Sequence, residues 1–321
     1  MADTSNTFAS PPGAGPDFSA DEAQKSPATL IKALGIGLAV AFILSWVYGP
    51  LDFHSPLIFL NLALVYFLGL LLGRIGEALL KILRLAGTAA AVSLGVAMGL
   101  AAAWFSWASY LFTITDYNFE VYFSVVLDPG ELYSWIYYLA ENPIWAPSGR
   151  GGKASSFPPL FYYAVWAGEL LTLTVVPVKK CRQFIANHRL CDSCGHWLAD
   201  NGKPAVRRTP PDLPAIVASL KAGDASVLRG LEPLSPEGSG GWLTIKGYAC
   251  PRCPEKPGFV RVFRNELVMD KKSKEPREIE NPLGGFVEIP VDLEGEIFAE
   301  PEPAGQPPEA PGTPADPEET A

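Results

Sequence analysis

The residues in this chain best suited to chemistry are two pairs of cysteines, Cys191-Asp-Ser-Cys194 and Cys250-Pro-Arg-Cys253, with 55 residues between the pairs. Two intervening residues let a tight turn place both sulfurs of a pair on one side, and two such turns supply the four thiolates of a closed tetrahedral zinc site. One structural zinc ion held by Cys191, Cys194, Cys250 and Cys253 is therefore the expected cofactor. The same sulfurs would also suit a redox dithiol or an iron–sulfur cluster. His188 and His196 flank the first pair, but four cysteines already complete the coordination. Cys181 is left over, as a quiet or acylated thiol rather than a fifth ligand.

A second position with chemical potential is Glu169, the one carboxylate in the apolar and aromatic run Pro158 to Val178. A charged side chain at the centre of a bilayer costs about 3 kcal/mol or more unless it is neutralised, paired or wetted, so Glu169 should face the interior of a helix bundle. It is either a proton or cation site, or a protonated carboxyl bonded to a neighbouring span, with Asn61 or Ser93 as partner. Asn61 is the one amide of its own apolar run.

Four apolar stretches position these groups. They are expected to span a membrane at about 30–48, 56–73, 86–112 and 158–178. The first carries only Lys32 as a charge and reaches roughly 28 Å as a helix, about one hydrocarbon thickness. Gly49-Pro50 should break it, and the link to Pro56 has no Lys or Arg. The next link holds Arg74, Lys81 and Arg84, and the fourth stretch is followed at once by Lys179, Lys180, Arg182 and Arg189. Basic clusters beside spans mark the cytoplasmic side, which places both termini and all four paired cysteines in a reducing compartment. Gly87, Ala91, Gly95, Gly99 and Ala103 recur at every fourth position of the third stretch, a small-residue strip for close helix packing.

The largest outer element is the loop 115–157, with ten aromatic residues against two basic ones, Arg150 and Lys153. Inside it, Asp128-Pro129-Gly130-Glu131 reads as a helix start. Leu132, Trp135, Ile136 and Leu139 follow at helical spacing, so a helix over about 128–141 should either lie flat on the outer leaflet and cover the bundle mouth or pack on the bundle with no membrane contact.

Composition shifts set the domain limits. Residues 1–28 read as a disordered leader, 29–180 as the transmembrane domain, 181–292 as a cytoplasmic domain and 293–321 as a disordered Pro-rich tail. The net charge of −9 is local: twelve Asp and Glu follow Arg277 and no Lys or Arg does. Within the cytoplasmic part, strands are expected at Trp242 to Ala249, Gly258 to Arg264 and Gly285 to Val291, and short helices at Leu213 to Lys221 and Ala225 to Leu231. The basic residues from Arg261 to Arg277 alternate with acids, so nucleic acid is not an expected partner.

From Leu190 to Met269 the two cysteine pairs and their flanking strands resemble zinc-ribbon domains. The resemblance implies a four-Cys structural zinc on a small β-hairpin fold, although the 55-residue insert departs from the compact pattern. The whole arrangement is similar to bacterial multi-pass membrane proteins with a C-terminal CxxC followed by Trp, which implies an inner-membrane location.

The expected fold class is thus an α-helical four-span bundle plus a small, mainly β, cytoplasmic zinc-ribbon-like domain with disordered termini. No nucleophile elbow, HExxH, phosphate loop or dinucleotide fingerprint is present, so a non-enzymatic role is expected. The zinc module would serve protein interaction, with the bilayer, a cytoplasmic protein or a second copy meeting the third span as partners. The alternative is a small oligomeric transporter, channel or membrane sensor using Glu169.

Overall fold

The computed structural model describes residues 27–54, 58–142, 157–202, 204–234, 241–253, 258–270 and 274–298. They fall into two compact units, one ending at Trp197 and the other beginning at Leu198.

The first unit is helical: α1 (Pro27–His54), α2 (Ile58–Ile82), α3 (Thr88–Ile114), α4 (Phe119–Leu127), α5 (Pro129–Glu141) and α6 (Pro159–Asn187). Four of these helices, α1, α2, α3 and α6, are long and apolar enough to cross a membrane. Lipid gives apolar side chains little reason to leave it, so helices there associate where small residues let backbones come close. Three strips of such residues do this. On α1, Ala33, Gly37, Ala41, Ser45 and Gly49 follow one another at every fourth position. All are buried. A methyl group on Gly37 would sit 2.9 Å from the Met98 side chain, and one on Gly49 would sit 2.6 Å from Ser109. The Ser45 hydroxyl bridges the same contact, donating to the carbonyls of Ala41 and Ala102. On α2, Gly69, Gly73 and Gly76 face Val176, Lys180 and Cys181 of α6. On α3, Gly95 and Gly99 lie against the α6 backbone at Val178, Leu173 and Thr174. Two members of the predicted strip, Gly95 and Gly99, therefore pack on a helix of the same chain. Ala91 and Ala103 are buried too, whereas Gly87 takes a φ of +111° and caps α3.

Helix ends depart from the sequence reading. Gly49-Pro50 does not break α1, which continues to His54 with Pro50 inside it. Gly49 is there for the close approach to Ser109, and that packing holds the helix through the missing Pro50 donor. The expected link at Arg74 to Ile82 is the last part of α2, and the fourth span runs on to Asn187 through Pro177. In each case charged or proline residues sit in a helix that neighbouring elements hold in place.

Helix α4 was not expected at all. Asn118 caps it, accepting from the Glu120 and Val121 amides, and it rests on the end of α3 through Tyr122, which packs on Phe112 and Trp46. Burial raises the Tyr122 phenol above its ordinary range. Helix α5 starts as foreseen, with Asp128 accepting from the Gly130 amide at 2.8 Å. Leu132 and Leu139 are buried in the same cluster.

The second unit holds one antiparallel sheet. Strands β3 (Trp242–Ala249) and β4 (Gly258–Met269) form its central pair, with Trp242 opposite Asn265 and Tyr248 opposite Phe259. Strands β1 (Ala199–Asp200) and β2 (Ala205–Arg208) both pair with β3. Strand β5 (Pro276–Pro282) pairs with the outer half of β4 and β6 (Val287–Ile289) with its inner half. One face carries Leu243, Ile245, Val260 and Val262 into a core closed by α7 (Leu213–Lys221), a 3-10 turn at Ser226–Leu228 and α8 (Val291–Phe298). On the other face Lys246 and Arg261 lie over the Phe263 ring, and the Asn265 amide donates to Thr244 and Glu278. Helix α8 corrects the expected tail limit at 293. Leu293 and Ile297, one helical turn apart, are buried in the core, so the acidic sequence around them forms the outer side of a packed helix. The expected leader and the rest of the tail lie outside the described residues.

Candidate functional site

The first cysteine pair sits on a turn built from backbone hydrogen bonds. The Gly195 amide donates to the Cys191 carbonyl at 2.9 Å, and the Cys191 amide to the His196 carbonyl at 2.7 Å. Gly195 has a φ of +64°, the left-handed conformation that glycine adopts without Cβ strain. In the second pair the Cys253 amide donates to the Cys250 carbonyl at 3.2 Å. All four sulfurs lie within 4.8 Å of one another, two from buried and two from partly buried residues. None of the cysteines is in a disulfide. A zinc tetrahedron with arms of about 2.3 Å has edges of about 3.8 Å, so small shifts of the sulfurs would bring them to bonding distance. The donor set fits a thiophilic ion. The four cysteines could hold a metal ion.

The two flanking histidines have other partners. His196 accepts from the Arg84 guanidinium through Nε2 at 3.0 Å and meets the Cys194 carbonyl through Nδ1. His188 is hydrogen bonded to the Phe184 carbonyl and stacked on the Phe184 ring. Cys181 is fully buried in the helix core against Gly76, outside the sulfur cluster.

Trp197, just after the first turn, fastens that turn to the helices of its own unit. Its indole N–H donates to the Lys81 carbonyl at 2.9 Å, and its ring packs edge-on to Phe184. The Lys81 carbonyl belongs to the end of α2, where helix carbonyls lack intrahelical donors. Trp197→Ala should therefore destabilise the first unit by about 1–2 kcal/mol. Thermal melts of the detergent-purified variant check this, with Trp197→Phe expected to recover part of the loss.

The second candidate position is a cavity of about 810 Å³ inside the helical unit. Glu169 lines it, as does Asn61. The foreseen pairing of the two is not formed, because Asn61 Oδ1 has no hydrogen-bond partner among the described residues. Asp52 faces the same space, accepting at 3.5 Å from the Tyr48 hydroxyl one helical turn earlier. Asp52 falls in the stretch that the sequence reads as an outer link, so its place in the same cavity as Glu169 was not legible. The available signal was the small-residue spacing on α1, which carries the helix past Pro50. Side chains from α5, Leu132 and Ile136 among them, close part of the cavity.

No family model, no curated protein and no solved structure matches this chain.

Proposed function

We propose that this is an integral membrane protein of the bacterial inner membrane, with both termini cytoplasmic, whose four-Cys centre holds one structural zinc ion. The zinc-ribbon-like module that follows the last span presents a surface to a cytoplasmic protein partner and catalyses no reaction. The observation that carries this reading is the cluster of four sulfurs within 4.8 Å in a chain with four span-length helices. The proposed orientation is supported by the basic residues at the ends of α2 and α6. A docking role is supported by the outer end of the β4–β5 hairpin, where Leu267, Val268, Met269 and Ile279 are exposed. Leu267 and Met269 lie on one face of the strand pair and Val268 and Ile279 on the other, and exposed apolar side chains of this kind are a frequent mark of a protein contact.

Metal analysis of the full chain purified in detergent tests the reading. One zinc per chain is expected, together with a co-purifying protein that Leu267→Asp releases. A metal-free, folded chain whose cysteines cycle between dithiol and disulfide would replace zinc by redox chemistry.

A second reading, a small oligomeric transporter, channel or membrane sensor using Glu169, is favoured by one observation: Glu169 shares its cavity with a second carboxylate, Asp52. Flux in reconstituted vesicles that disappears with Glu169→Gln would support it.

A further inference from the structure

The cavity at Glu169 combines three features that together select a ligand class. Its size, about 810 Å³, falls in the range of small-molecule sites. Its walls are largely aromatic: Trp104, Trp107, Tyr110 and Trp166 are among the lining side chains, and Trp107 and Trp166 meet edge to face at 5.0 Å. Its acids are Asp52 and Glu169, which line the same space, and no Lys, Arg or His lines it among the described residues. A polar group also points to an occupant. Ser106 lines the cavity, is 6% exposed, and its hydroxyl has no hydrogen-bond partner among the described residues.

Each simpler occupant leaves something unexplained. Hard inorganic cations need six or more oxygen ligands at short distance, which an aromatic-walled space of this size does not provide. A neutral apolar molecule would leave the Glu169 carboxyl and the Ser106 hydroxyl without partners in a water-poor site. An anion would be repelled. A cation that carries its own apolar surface satisfies all three features, because aromatic faces attract positive charge through their quadrupole and the carboxylates balance it.

We propose that this cavity binds a hydrophobic organic cation, of the quaternary ammonium or phosphonium kind, with Glu169 and Asp52 as its counter-charges and the aromatic walls as its cage. This deepens the second reading by naming the ligand class. It is independent of the metal centre.

The test uses the full chain in detergent and two probes of matched shape and opposite charge, tetraphenylphosphonium and tetraphenylborate. Tetraphenylphosphonium should quench tryptophan fluorescence saturably and raise the melting temperature, and tetraphenylborate should do neither. Glu169→Gln should weaken tetraphenylphosphonium binding about tenfold or more, the loss expected for one desolvated charge pair. Asp52→Asn should weaken it less, because Asp52 has the Tyr48 hydroxyl as a partner. If a carboxylate variant does not fold, the comparison of the two probes on the unaltered chain still decides. Equal binding of both probes, or unchanged tetraphenylphosphonium binding in the folded double variant, would reduce the cavity to a greasy pocket and overturn the proposal. Saturable binding without flux in vesicles would keep the site and remove the transporter.

Discussion

If the four cysteines hold the proposed zinc ion, Cys250→Ser in this chain should bind far less zinc and unfold much more readily than the unaltered chain. A structural zinc site bound by thiolates contributes an apparent 10 kcal/mol or so of binding energy near neutral pH, and that energy exists only in the folded chain. A serine hydroxyl is not a thiolate at that pH, so three ligands remain for an ion that needs four. Even a net loss of about 3 kcal/mol lowers the midpoint of a small domain by about 12–24 °C. The effect should be large but not total, since the sheet unit has its own buried core around Leu243, Ile245, Val260 and Ile289. Cys191→Ser, Cys194→Ser and Cys253→Ser should behave alike. Cys181→Ser, outside the sulfur cluster, should keep its zinc. Elemental analysis and thermal melts measure both quantities on the same sample. Full zinc occupancy in Cys250→Ser would exclude the four-sulfur centre.

The contrast between the two candidate sites shows what kinds of contact a sequence reveals. The cysteine cluster was readable because its chemistry is written in local spacing: CxxC suits a tight turn, and two such turns can offer four sulfurs to one ion whatever lies between them. The insert could therefore loop out as α7 and a 3-10 turn without hiding the signal. The cavity was half readable. Glu169 stands out against an apolar run, but Asp52 lies beyond Gly49-Pro50, and local propensity ends the helix there. Tertiary packing overrides that propensity, because Gly49 seats α1 on Ser109. The same limit hid α8, whose acidic composition masks two buried residues, Leu293 and Ile297. It also hid β5, every residue of which is exposed and whose place is set by pairing with β4.

Gly99→Val offers the sharpest test of how the helical unit is assembled. A Cβ at Gly99 would lie 2.5 Å from the Leu173 carbonyl oxygen and 2.8 Å from the Thr174 Cα. Both are backbone atoms, so no side chain can turn away, and α6 must move as a whole. Moving it would also displace Glu169, one turn before Leu173, from its cavity. Overpacking of this kind typically costs about 1–3 kcal/mol, and a β-branched residue against backbone belongs at the upper end. The folded, monodisperse fraction on size exclusion should fall sharply, and tetraphenylphosphonium binding should fall with it. Gly35→Ala on α1 is the matched control, because nothing lies within 4 Å of its added methyl group, and it should be neutral or slightly stabilising. The opposite result is informative. If Gly99→Val remained folded but lost an oligomer, the strip on α3 would face a second copy, and self-association through this helix would replace the intrachain contact with α6.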